Sequence, residues 1–214
     1  MARVALIDYG SGNLRSAEKA LIEAARRRDL PFEVDVTFDP ERVASADRVV
    51  LPGVGAFAAC WSLLHAMPGL VEAMTTAVKG RGVPFLGVCV GLQLLATRGL
   101  EFGETPGLDW IAGEVRRLEP SGRLFKVPHM GWNALDAVIA HPVFKDAPSG
   151  AHMYFTHSFA FRPRDAADVA AMVDHGGRFP AAVARDNLVG VQFHPEKSQS
   201  AGLKLLANFL EWRP

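Results

Sequence analysis

Three short runs in the first half of the chain, "RVALID" at 3–8, "RVVLPG" at 48–53 and "VPFLGV" at 83–88, are apolar at nearly every position rather than at alternate ones. A strand of that kind has no face for water, so it must be covered on both sides. Segments with helical spacing lie between them. "NLRSAEKALIEAARRR" places Leu14, Ala17, Leu21 and Ala24 on one face behind Asn13 as a candidate cap, and "AFAACWSLLHAM" and "GLVEAMTTAVKG" read as further helices. "FEVDVTF" alternates with period two, and "GLQLLATRG" predicts a helix ending at Gly99. The expected fold is therefore a three-layer α/β arrangement, a mostly parallel central sheet flanked by helices.

Beyond Gly99 the pattern changes. "GEVRRLE", "HMYFTHSFAF", "DVAAMVD", "AAVARD" and "LVGVQF" are short runs split by turn residues, which predicts antiparallel strands added in the C-terminal half. "SAGLKLLANFLEW" then returns to a helix. No repeat and no linker rich in Ser, Gly or Pro interrupts the 214 residues, so a single domain over 1–214 is expected.

The charge balance narrows the function classes. Lys and Arg together number 23 and Asp and Glu together 23, leaving no basic excess for a nucleic-acid partner or a membrane surface. No apolar stretch approaches membrane-spanning length, and "MARVALIDYG" lacks the apolar core and cleavage site of a signal peptide. The cytoplasm is the expected compartment, and two cysteines there are expected to be thiols.

One of those cysteines stands in a special place. Gly87-Val88-Cys89-Val90-Gly91 has the form of a nucleophile elbow, G-x-S-x-G with sulfur in place of oxygen, at a strand-to-helix junction. Glycines two residues to either side remove Cβ atoms that would obstruct so sharp a turn. Cys89 is expected to stand exposed above the sheet at a helix N-terminus, where free N–H groups and the helix dipole favour a thiolate. The Val90 N–H becomes an oxyanion donor. A free cysteine is also commonly a small buried hydrophobe, and this segment alone leaves both readings open. Cys60, in "AFAACWSLL", is explained by helical periodicity and reads as structural.

A nucleophilic cysteine needs a histidine, and a third group to orient it. Among seven histidines, His194 ends the run "LVGVQFHPEKSQS" with Pro195 biasing it toward extended backbone. Side chains two apart on an extended chain point the same way, so Glu196 can hold one ring nitrogen while the other faces the sulfur. Cysteine, histidine and glutamate could also ligate zinc. "LPGVGAF" puts Pro52-Gly53-Val54-Gly55 in a turn able to aim a second N–H at an oxyanion. "DYGSGNLR" lacks the third glycine of a dinucleotide fingerprint, because Arg15 occupies its place, and nucleotide binding is not expected there. His129 in "VPHMGWN" and His157 in "YFTHSFAF" read as structural histidines in aromatic surroundings that also suit a contact surface.

Together "GVCVGLQLL", "LPGVGAF" and "GVQFHPEKSQSAGLKLLANF" resemble the class I glutamine amidotransferases, with these motifs in the family's order and spanning nearly the whole chain. Valine at 88 and 90 and leucine at 92 look like conservative departures within the elbow. The resemblance implies that Cys89 is the nucleophile, His194 the acid and base, and Glu196 its orienter. It implies an oxyanion hole from Gly53, Val54 and Val90, and L-glutamine held by Gln93 and by backbone near His157, Ser158 and Phe159. It implies no cofactor and no metal. "IDYGSGNLRSAEKAL", "VPHMGWN" and "YFTHSFAF" narrow it to the glutaminase subunits whose ammonia goes to a (β/α)8-barrel cyclase partner. Met130, Trp132 and Lys197 are the candidate contact residues for that partner.

Overall fold

A computed structural model of the chain describes residues 1–122, 124–136, 138–145 and 149–214. The first half alternates as the apolar runs require: β1 (Ala2–Ile7), α1 (Leu14–Arg27), β2 (Phe32–Thr37), α2 (Pro40–Ala44), β3 (Arg48–Gly53), α3 (Phe57–His65), α4 (Leu70–Thr75), β4 (Phe85–Cys89) and α5 (Val90–Gln93). A π-helical turn, Thr76–Gly80, continues α4. Two short strands follow, β5 (Arg98–Gly99) and β6 (Thr105–Pro106), then β7 (Gly113–Arg117), β8 (His129–Asp136), β9 (His152–His157), β10 (Phe159–Pro163), β11 (Val169–Asp174), β12 (Arg178–Arg185), β13 (Leu188–Val191) and α6 (Gln199–Glu211).

Nine strands form one sheet in the order β2-β1-β3-β4-β13-β12-β11-β8-β9, and β10-β7-β5-β6 form a smaller one. From β2 to β13 every pairing is parallel. Beyond β13 every pairing is antiparallel, so the large sheet is mixed, with a parallel core and an antiparallel extension. β3, β4 and β13 are buried along their whole length, which is why those runs carry no alternation. Their register aligns the carboxyl ends: Gly53 lies beside Cys89, and Val88 beside Val191. Ligands in such sheets bind beyond those ends.

Three expectations need correction. The helix after Cys89 stops at Gln93 instead of reaching Gly99, and Arg98–Gly99 is a strand. The carbonyls of Leu94, Leu95 and Ala96 accept hydrogen bonds from the N–H groups of Leu108, Asp109, Trp110 and Ile111, so tertiary bonds replace the helical ladder. Asn13 occupies the N-cap position of α1 but its side chain makes no capping bond. "HMYFTHSFAF" is two strands in different sheets: β9 lies in the large sheet and β10 in the small one, with the chain crossing at Ser158, whose carbonyl accepts from Leu118 N–H.

Arg48 ties the C-terminal helix to the parallel core. It is almost fully buried at the start of β3, and its guanidinium donates to the carbonyls of Phe209, Leu210 and Trp212 at 2.7–3.2 Å. These are orphan acceptors at the end of α6, where a cation also complements the helix dipole. Burial pushes the guanidinium down to about 10, with Arg213 adding to the effect, so it remains protonated at neutral pH. Arg48→Met keeps the packing volume but strands those carbonyls, and is expected to lower unfolding free energy by roughly 2–4 kcal/mol in urea denaturation.

Candidate active site

The elbow is built from close backbone contact. A Cβ on Gly91 would lie 1.8 Å from the Leu51 carbonyl oxygen, and one on Gly87 would lie 2.6 Å from that of Gly91, so both positions exclude every residue but glycine. The tight turn holds Cys89 at φ 56°, ψ −109°, a strained conformation for a residue with a Cβ. Contrary to the expectation that Cys89 stands exposed, it is only 4 % accessible. It forms the floor of a cavity of about 310 Å³ whose lining also includes Val54, Gly55, Val90, Gln93 and His194. Cys60 and Cys89 are both free.

His194 follows β13, beside the elbow because β13 pairs with β4. It is 2 % accessible, and its Nδ1 meets Glu196 Oε1 at 2.8 Å. Nε2 is buried without a hydrogen-bond partner among the described residues. Burial pushes the imidazole down, but interaction with the Cys89 side chain and with Glu196 outweighs it and raises His194 to about 9. At neutral pH the ring therefore carries a proton on an unpartnered nitrogen close to the sulfur. That is a group ready to donate a proton at the cavity floor.

Val54 and Gly55 of the Pro52–Gly55 turn line the cavity while Pro52 and Gly53 lie behind it, and side chains from β1's following loop and from α3 hold the turn. Tyr9 Oη donates to Pro52 O at 2.8 Å. Ser11 Oγ donates to Val54 O at 2.9 Å and accepts from Val54 N–H at 3.1 Å, while Cys60 Sγ donates to Val54 O at 3.3 Å. Val54 N–H thus points at Ser11 in this conformation. Burial pushes the Tyr9 hydroxyl and the Cys60 thiol up, so both stay neutral donors. Cys60 fits its helical periodicity, yet it also touches the turn, a contact that spacing within α3 could not reveal.

The residues expected to hold glutamine gather at the same cavity. Gln93 Nε2 donates to Phe159 O at 2.9 Å and to Gln192 Oε1 at 3.0 Å, which leaves Gln93 Oε1 as its unused acceptor. His157, Ser158 and Phe159 line the opposite wall, at the crossing between sheets, and Lys197 lies at the edge. Trp132 and Met130 are 47 % and 65 % accessible on β8, outside the cavity. Trp132 packs edge-on to Tyr154, and Lys197 Nζ sits 5.7 Å above the Tyr154 ring, so Trp132, Tyr154 and Lys197 form one continuous face that reaches the cavity edge at Lys197. Glu101 was not singled out from the sequence. It lines the cavity while accepting the Phe57 N–H at 2.7 Å, and no local pattern marks it.

A larger cavity, about 730 Å³, lies on the small sheet among Arg98, Arg116, Arg162 and Arg164 with Glu104 and Glu114. Its lining includes no cysteine or histidine, and Glu114 pairs with both Arg98 and Arg116, so volume alone does not locate the chemistry. Among the described residues no group of three or more His, Cys, Asp or Glu side chains has a metal-holding arrangement. No helix among them is long and apolar enough to cross a membrane.

A parallel sheet ending in a cysteine elbow, with histidine and glutamate on the adjacent strand's exit, defines a class I glutamine amidotransferase, and the family model described as glutamine amidotransferase class-I matches residues 5–212. Solved structures agree in fold. A glutamine amidotransferase structure aligns with a TM-score of 0.69 at 19 % identity, covering 97 % of each chain, and one from Thermotoga maritima aligns at 0.60 and 18 %, covering 91 % of this chain and 76 % of that one. Similar sequences are more specific. The imidazole glycerol phosphate synthase subunit HisH of Caulobacter vibrioides is 65 % identical over the full length of both chains. Those of Rhodospirillum rubrum and Brucella suis are 55 % and 54 % identical, covering 99 % of this chain and all of theirs. The chain belongs to the class I glutamine amidotransferase family and, within it, to the HisH subunits.

The structural histidines behave oppositely to His194. His157 Nδ1 donates to Phe159 O at 2.9 Å, so its Nε2 accepts, and His129 Nδ1 donates to it at 3.1 Å. His129 stacks on His175 with centroids 4.2 Å apart. Burial pushes His129 down to about 3 and His157 to about 4, the neighbouring histidines adding to the effect on both. Their folded values lie below the ordinary unfolded value near 6.5, so their contribution to stability is present above that pH and lost as pH falls toward 4 and 3. His194, raised to about 9, has the reverse sign: its contribution is present below about 6.5 and fades as pH rises through 9. Urea midpoints are expected to fall steadily from pH 7 to pH 5, with a shallower slope in a His129→Leu chain.

Proposed function

We propose that this single-domain glutaminase, spanning 1–214, hydrolyses L-glutamine to glutamate and ammonia through a thioester on Cys89. It passes the ammonia to a (β/α)8-barrel cyclase, HisF, which converts PRFAR to imidazole glycerol phosphate and AICAR in histidine biosynthesis. The observation that carries this reading is the meeting of Cys89, His194 and Gln93 around one cavity while Glu196 fixes the far nitrogen of His194. The relatives named as HisH subunits of imidazole glycerol phosphate synthase support the acceptor. A cytoplasmic enzyme needing no cofactor is the matching biology.

The sulfur of Cys89 attacks the side-chain amide carbon of glutamine, and the carbonyl oxygen takes up the negative charge. Val90 N–H stands at the start of α5 to receive it, with a second N–H from the Gly53–Val54 peptide. A well-placed oxyanion donor contributes about 3–4 kcal/mol. His194 Nε2–H gives its proton to the departing nitrogen, which leaves as ammonia. The now neutral ring takes a proton from water as that water attacks the thioester, and glutamate leaves with the sulfur restored. Glu196 keeps the proton on Nδ1 throughout, so only Nε2 exchanges. Because Val54 N–H is held by Ser11, its use as a donor requires the turn to reorient. A turn that does so only with the cyclase docked would spare glutamine in its absence.

Free ammonia in neutral water is mostly ammonium and not nucleophilic, so direct delivery preserves its reactivity. Exposed Met130 and Trp132 on β8, with Lys197 at the cavity edge, are the proposed cyclase contacts, since aromatic and Met side chains are enriched in interfaces. Cys89→Ala, assayed as a complex with the cyclase, is expected to lose glutamine-dependent synthesis by at least about 1,000-fold and to keep synthesis from added ammonium salt. Retention of glutamine-dependent synthesis would overturn the assignment.

A further inference from the structure

We propose, resting on the glutaminase reading, that Gln192 is a catalytic residue whose side-chain N–H donates to the Cys89 sulfur and stabilises it as the attacking thiolate. Gln192 Nε2 lies 3.6 Å from Cys89 Sγ, within range for a hydrogen bond to sulfur. An amide presents nitrogen and oxygen in nearly the same shape, so the neighbours must decide which end faces the sulfur.

They do so without ambiguity. The Phe159 carbonyl can only accept, and Gln93 meets it at 2.9 Å, so that end of Gln93 is its NH2. The same nitrogen lies 3.0 Å from Gln192, whose facing atom must then be oxygen. The Gln192 NH2 is left for the sulfur. His157 Nδ1 donates to the same Phe159 carbonyl, so both of its lone pairs are used. Gln192 is fully buried and is not part of the cavity lining, so the bond reaches the sulfur from inside the fold and leaves the cavity side open for substrate.

The energetics favour one protonation state. A thiol is a weak acceptor and a thiolate a strong one, so this donor stabilises the charged nucleophile far more than the neutral thiol. Gln93, expected from the sequence only to hold glutamine, also acts as a positioning residue, because it sets the direction of the Gln192 amide.

Gln192→Glu keeps the acceptor that Gln93 needs and removes the N–H; Gln192→Met removes both at similar size. In the full-length chain, alkylation of Cys89 by iodoacetamide, read peptide by peptide by mass spectrometry, is expected to be about tenfold slower in both at about pH 7, converging with the unaltered chain at high pH. Cys60 labelling reports whether either variant has unfolded. In the unaltered chain, the Gln192 side-chain amide NMR resonance is expected to move through the same pH transition as Cys89 reactivity. Variant rates equal to those of the unaltered chain at neutral pH, or an amide resonance indifferent to that transition, would sink the proposal. If Cys89→Ala kept glutamine-dependent synthesis, these measurements would still report on the contact itself, so the two failures are separable.

Discussion

Everything at the cavity floor depends on how closely the end of β3 approaches the first turn of α5. The Leu51 carbonyl occupies the space where a side chain on residue 91 would begin. That contact bends the chain hard enough to hold Cys89 at positive φ, and the register of β3, β4 and β13 then brings the Pro52–Gly55 turn and His194 beside it. The strain at Cys89 is sustained by the fully buried strands that surround it, a common arrangement where backbone geometry serves chemistry.

Two kinds of histidine share this half of the molecule and differ by what surrounds them. His129 and His157 are buried among rings and carbonyls, so nothing compensates the loss of water around a charge and they stay neutral. His194 is equally enclosed but faces a carboxylate and a thiol, and those outweigh its burial. Their functions divide accordingly. The neutral pair act as fixed hydrogen-bonding parts that anchor the Phe159 carbonyl, while His194 is the group that can carry and release a proton.

The Pro52–Gly55 turn is held by side chains that do not line the cavity. These are Tyr9, Ser11 and Cys60, which engage the carbonyls of Pro52 and Val54 and one N–H. Its shape is thus set by side-chain hydrogen bonds of ordinary strength. The "DYGSG" loop, which resembles a broken nucleotide fingerprint, supplies Tyr9 and Ser11 to this support.

By itself the sequence determined the parallel core, from strands apolar on both faces, and the elbow, because only glycine fits where backbones nearly touch. It also marked His194 and Glu196 as a pair, although the extended backbone expected through 194–196 ends at His194: Pro195–Lys197 is a 3-10 turn, and that turn brings Glu196 back to Nδ1. Those are local consequences, readable over a few residues. Tertiary structure decided the rest. The helix after Cys89 is one turn long because the carbonyls of residues 94–96 are taken by the segment at 108–111. Cys89 lies at a cavity floor because walls arrive from β9, β10 and the 52–55 turn, and Gln192 reaches its sulfur across 103 residues of chain. No periodicity spans such a separation; only the pairing of β4 with β13 brings the two together.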